Sequence, residues 1–205
     1  IAGDRIETMN RGPGSQLTAT RSGIAGAALL FATGATAAGD RDGNLLTNPG
    51  FDDRLQGWEA HGGPDRYTAA QDPTGRGPVL CYRKTEGTGE ANENSHFDQT
   101  VKLEPGALYV AGMRVRADDG LRPILRIATV DWQTVTTVQA QARPDWHTVA
   151  TAFHAPHEGS VRFQIFGGAR TAIRETFPGT AWFDDALLRR ANAEERREYL
   201  TCTVH

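Results

Sequence analysis

From Asn44 onward, Gly, Pro, Asp and Asn recur about every ten residues and cut the chain into short runs of alternating apolar and polar positions. A period of two is the signature of strands with one buried face. It predicts strands over residues 44–47, 57–61, 66–71, 79–84, 96–103, 108–116, 124–131, 135–139, 147–154, 161–166 and 180–189, and a single helix over 193–200. In the run from Leu108, the side chains of Tyr109, Ala111, Met113 and Val115 share a core face, while Val110, Gly112, Arg114 and Arg116 share a wetter one. Val161, Phe163 and Ile165 likewise alternate with Arg162 and Gln164, and Phe166 then breaks the polar row. About ten antiparallel strands in roughly 145 residues predict an all-β, two-sheet sandwich of jelly-roll type with a short C-terminal helix, a closed barrel being the alternative. Asn192 followed by Glu195 has the form of a capping box, which sets the helix start.

Composition narrows the class without changing it. The 205 residues are 39% hydrophobic and 23% charged, with 23 Gly and 10 Pro, too apolar for a disordered chain and too interrupted for a coiled coil or helical bundle. A net charge of −3 gives no basic field, so nucleic acid is not an expected partner. Near the start, Arg11 and Arg21 precede an apolar stretch over 24–33 and a small-residue run over 34–38, the order of a secretory signal cleaved after about Ala37. The stretch falls well short of the ~20 residues that span a bilayer, so membrane insertion is not expected and a secreted or cell-surface location is. The expected organisation is a leader over 1–39, a sandwich over 44–190 and a charged helical tail or linker over 191–205. Cys81 and Cys202 lie far apart in sequence; a disulfide between them is permitted outside the cell, and nothing in the sequence fixes it.

Asn48-Pro49-Gly50 reads as a turn in which Pro sets φ and Gly supplies a positive φ, delivering Phe51 to the core with Trp58 packed beneath. The stretch Asn44 to Asp53 with Gly57-Trp58, then Phe97 to Val101 with Pro105 to Tyr109, then Trp146 to Val149 running to Ala155-Pro156, and finally Trp182 to Leu187, resembles in order and spacing the CenC-like carbohydrate-binding modules, related to families 4, 9, 16 and 22. The resemblance covers residues 44–189. It implies a galactose-binding-like β-sandwich, a secreted location and non-catalytic attachment to a polysaccharide or glycan, with a linked glycan-degrading catalytic domain as a partner. It also implies a structural calcium ion, carried over here onto Asp52 and Asp184. Calcium takes six to eight oxygens, so backbone carbonyls around Gly50 and an acid such as Asp72 are expected to complete the shell. This chain has Asp52 where the family usually has Glu, one methylene longer.

Sugar recognition needs a flat apolar platform and planar polar groups. The candidates are Arg114 and Arg116 on the wet strand face, Arg126 expected beside them on the next strand, Gln139, Gln164, and the loop residues Trp132 and Gln133, with Tyr82 as a second platform. If they share a groove, three guanidinium groups favour an acidic or sulfated glycan; otherwise the arginines keep a sheet face soluble. Catalytic readings are poorly supported. A glycosidase needs two carboxylates across roughly 5 to 9.5 Å, whereas consecutive Asp184 and Asp185 point to opposite faces of a strand. Beyond the leader, neither Ser95 nor Ser160 lies in a nucleophile elbow, and His147, His154 and His157 lack Cys or acidic neighbours at ligand spacing. The alternatives to a glycan-binding module are a structural or protein-interaction sandwich and a jelly-roll polysaccharide lyase or hydrolase.

Overall fold

The computed structural model describes residues 43–62, 64–85, 95–118, 120–168 and 178–203. The expected leader over 1–39 lies outside the described residues. Alternation in the sequence becomes ten strands: β1 Glu59–His61, β2 Tyr67–Gln71, β3 Pro78–Lys84, β4 His96–Lys102, β5 Leu108–Ala117, β6 Ile124–Thr129, β7 Thr134–Gln139, β8 His147–His154, β9 Ser160–Phe166 and β10 Gly179–Arg190. A 3-10 turn at Pro64–Arg66 precedes β2, and one helix, α1 Ala193–Thr203, follows β10.

The strands form two five-stranded antiparallel sheets, not a closed barrel. Sheet I has the order β1-β4-β9-β6-β7 and sheet II the order β2-β3-β10-β5-β8. Their inner faces meet in one core. Sheet I contributes Phe97, Leu125, Ile127, Val161, Phe163 and Ile165; sheet II contributes Leu80, Tyr82, Met113, Val115, Phe183 and Leu188. Because Val161, Phe163 and Ile165 point inward, period-two geometry sends Arg162, Gln164 and Phe166 outward. The same rule turns His96 and Asp98 of β4 and Arg126 of β6 to the outer face of sheet I, and Arg114 and Arg116 of β5 to that of sheet II.

Two expectations are corrected. Residues 44–47 are not a strand: beside one backbone bond, from the Leu45 N–H to the Leu188 carbonyl at 2.8 Å, the segment is tied to β10 by the Asn44 side chain, which donates to the Ala186 carbonyl at 2.9 Å and accepts from the Leu188 N–H at 3.0 Å. The positive φ of the following turn falls on Asn48 (49°) and Phe51 (57°) and not on Gly50. Gly50 answers a different demand, since a Cβ there would sit 3.3 Å from Asp52 Oδ2 and 3.8 Å from Asp184 Oδ1. Phe51 and Trp58 do enter the core, with ring centroids 5.3 Å apart, and the Trp58 indole donates to the Asn48 carbonyl at 3.1 Å. The predicted capping box forms: Asn192 Oδ1 accepts the N–H groups of Glu194 and Glu195, and Glu195 reaches back to the Asn192 N–H, each at 2.9 Å.

Candidate functional site

The outer face of sheet I carries a continuous polar network across four strands. At its centre is Asp98, only 1% exposed. Its Oδ2 accepts from Arg162 Nη1 at 3.2 Å and from Gln164 Nε2 at 3.4 Å, and His61 Nε2 lies 3.2 Å from Oδ1. Gln164, itself fully buried, passes the network on by accepting from Arg126 Nε at 2.7 Å. Burial pushes the Asp98 carboxyl upward, but the hydrogen bond from His96, the charges of His61 and His96 and the Arg162 contact outweigh it, so its pKa lies below the ordinary value. Aromatic rings are interleaved with these charges. His96 stacks on Phe166 with centroids 5.0 Å apart, and the Arg126 guanidinium lies 5.5 Å from the same ring.

Trp132 stands over this network from the β6–β7 hairpin. The loop is tied by Thr129, whose N–H donates to the Gln133 carbonyl at 2.8 Å and whose hydroxyl bonds to Asp131. Trp132 has φ 71°, a left-handed conformation that costs a non-Gly residue on the order of 1 kcal/mol or more. A glycine would relieve that strain. Instead the residue is 44% exposed, with the Arg162 guanidinium 4.2 Å from its ring centroid and edge-on contacts to His61 and His96 at 6.0 and 5.4 Å. Such a half-exposed indole, rigidly seated above fixed hydrogen-bonding groups, has the two elements that a pyranose requires.

The structure divides the sequence-derived candidates. Arg126, Gln164, Trp132, Gln133 and Gln139 belong to sheet I and its hairpin, with Gln139 opposite Ile124 on the edge strand. Gln133 is exposed, and its amide bonds to Asp131 at 2.8 Å. Arg114 and Arg116 do not join them. Consecutive β5 and β6 lie in different sheets, so Arg126 cannot stand beside the β5 arginines, and the expected cluster of three guanidinium groups does not form. Arg114 instead packs 5.2 Å from the Trp146 ring and pairs with Asp185 at 3.4 Å, while Arg116 lies 4.6 Å from the Trp182 ring. Tyr82 is no platform. It is buried in the core 5.2 Å from Tyr67, and a Cβ on Gly167 would overlap its ring. His61, His96, Asp98, Arg162 and Phe166 escaped the sequence reading. The available signal was His96 and Asp98 at i, i+2 on a strand whose other face is Phe97 and Val101.

The three acidic residues assigned to calcium also separate. Asp52 and Asp184 converge at Gly50. Burial, with the neighbouring charges of Asp185 and Asp52, pushes the Asp184 carboxyl up to about 6, against a hydrogen bond from the Asp185 N–H at 2.8 Å. Crowded carboxylates beside a close backbone approach fit a hard dication. Asp72 is occupied elsewhere: it accepts from the Thr74 N–H at 2.9 Å and hydroxyl at 2.5 Å, and with the Trp146 indole nearby these hold its pKa low despite burial. Among the described residues, Asp52, Asp72 and Asp184 do not make a three-ligand cluster.

With this geometry in view, residues 43–172 match the CBM_4_9 family, described as a carbohydrate binding domain. The chain belongs to this family. As a carbohydrate-binding module, it is also similar in fold to TmCBM61 in complex with β-1,4-galactotriose, at 16% identity and TM-score 0.57 over 73% of this chain and 100% of that one. The MgGH51 α-L-arabinofuranosidase bound to arabinose matches at 16% identity and TM-score 0.56, over 76% of this chain and 27% of that one. The N-terminal CBM22-1–CBM22-2 tandem domain of Paenibacillus barcinonensis Xyn10C matches at 14% identity and TM-score 0.53, over 76% of this chain and 51% of that one. At such identities the likeness establishes the sandwich alone. A comparison with curated protein sequences finds no match.

Proposed function

We propose that this module is secreted and holds a polysaccharide or glycan, without chemical change, on the outer face of sheet I. The observation that carries the reading is Trp132, kept exposed at the cost of a left-handed backbone and seated above the Asp98 network. Its ring would stack on the apolar face of a sugar, while Arg126, Gln139 and Gln133 would hydrogen-bond hydroxyls along the strand direction. Gln164 and Asp98 are too deeply covered to touch a ligand and act by orienting Arg126 and Arg162. The expected setting is a leader over 1–39 that directs export and a linked glycan-degrading domain. The MgGH51 α-L-arabinofuranosidase supports such a linkage, since the matched region is 27% of that glycosidase chain. Calcium would be held by Asp52, Asp184 and backbone oxygens near Gly50, neutralising carboxylates that the fold crowds together. Retention on a panel of insoluble polysaccharides and a glycan array tests the binding reading. Trp132→Ala should abolish retention and Arg114→Ala should leave it intact; full retention by Trp132→Ala overturns the site. Chelation should lower the melting midpoint if calcium is structural, and an unchanged midpoint counts against the ion.

A further inference from the structure

We propose that His61, His96 and Asp98 form a transition-metal site, for zinc or a similar dication, on the outer face of sheet I. The backbone assembles it: His96 and Asp98 are i and i+2 on β4, and His61 is the direct cross-strand partner of His96 on β1. Their ligand atoms all lie within 4.8 Å of one another. A tetrahedral shell with zinc–donor distances of about 2.0–2.1 Å has donor–donor edges of about 3.3 Å. His61 Nε2 lies 3.2 Å from Asp98 Oδ1, so one edge is already at ligand spacing, and His96 Nε2 lies 3.5 Å from Oδ2 of the same carboxylate. The imidazoles stack with centroids 4.8 Å apart, and a rotation of His61, whose side chain is one-third exposed, brings both nitrogens toward one point.

Two nitrogen donors and one carboxylate suit a borderline metal and not calcium, which takes oxygen. The surroundings divide the work of Asp98. Arg162 and Gln164 both bond its Oδ2, fixing the carboxylate plane and leaving Oδ1 turned toward His61, the supporting arrangement that metal-ligating carboxylates need. Arg162 repels a dication, but its charge is matched by Asp98. Glu59, exposed and with Oε2 3.6 Å from His61 Nε2, adds a second negative charge and a fourth donor within reach. The site stands whether or not the same face holds a sugar, because metal alone is the probe.

The test is calorimetric titration of tag-free, chelator-stripped protein with zinc chloride in saturating calcium chloride, which occupies any oxygen site. One equivalent of zinc should bind to the intact protein. His61→Ala should bind at least tenfold more weakly while still melting as a cooperatively folded protein, and His154→Ala should match the parent. Nickel should quench indole emission in the parent and not in Trp132→Phe, because Trp132 is the ring edge-on to both histidines. No saturable zinc uptake, zinc binding of undiminished strength in His61→Ala, or quenching that persists in Trp132→Phe would each overturn the assignment. His61 carries the test because its exposure leaves the fold intact, whereas His96 is buried.

Discussion

On the outer face of sheet II, Trp146 and Trp182 lie half-buried under the guanidinium groups of Arg114 and Arg116, and Asp185 takes up the charge of Arg114. On the outer face of sheet I, Trp132 also contacts an arginine, yet keeps 44% of its surface in solvent. The residue types are the same and the mounting differs. The two tryptophans of sheet II, one immediately before β8 and one within β10, lie against arginines of β5, and α1 covers part of the same sheet by packing Tyr199 against the Leu108–Val110–Ala191 cluster. Trp132 projects from a hairpin tip with φ 71° and sits over Arg162 of β9 with part of its surface left in solvent. One face is thus closed on itself, and the other offers an aromatic platform beside fixed polar groups.

The sharpest way to break this contrast is Asp98→Ala. It leaves Arg162 beside two histidines with their common anion gone, and should cost about 3 kcal/mol, as loss of one partner from a buried pair does. Denaturant titration measures it, and a loss near zero would mean that the network does not organise sheet I. Trp182→Ala should remove on the order of 2 kcal/mol of stability through lost burial and the Arg116 contact, while retention on the glycan that the parent binds stays unchanged. Trp132→Ala should do the reverse, with a stability change below about 0.5 kcal/mol and a large loss of retention. If both tryptophan variants behave alike, the distinction between the faces fails.

A smaller effect belongs to the turn under sheet II. Asp72→Asn puts an amide N–H where Oδ2 accepts the Thr74 hydroxyl and should cost about 1–2 kcal/mol at neutral pH. The folded-state pKa of Asp72 is depressed, so the native state binds fewer protons than the unfolded chain. Its stabilisation is full above the ordinary carboxylate pKa and fades as pH falls through the lowered value. The difference between parent and Asp72→Asn should therefore shrink in acid, and melting curves at neutral and acidic pH read it directly; a constant difference would show that the carboxylate charge is irrelevant there.

The positions of nearly all the strands were legible because burial of one face imposes a period of two wherever a sheet covers a core. The run over 44–47 misled because, beside the Leu45 N–H bond to the Leu188 carbonyl, it is tied to β10 by the Asn44 side chain and not by a continuing ladder, and an Asn side chain in that role carries no periodic mark. The capping box was legible for the opposite reason, being a local contact between residues three apart. The candidate site was half legible. Trp132 and Arg126 could be named from their own wet positions and Gln164 from its place in the alternation, although it is fully buried, but the company they keep could not. His61 and Asp98 are 37 residues apart, and Arg162 and Asp98 are 64 apart.

By itself the sequence determined, for most strand positions, which side chains face the core and which face water, since alternation within a strand depends only on neighbours along the chain; Tyr82, read as a platform but buried in the core, is an exception. Which wet faces belong together was decided by tertiary structure. The link from β5 to β6 crosses between sheets, sending Arg114 and Arg116 to one exterior and Arg126 to the other. That choice depends on how two whole sheets bury their inner faces against each other, a sum over contacts distant in sequence that no local pattern encodes.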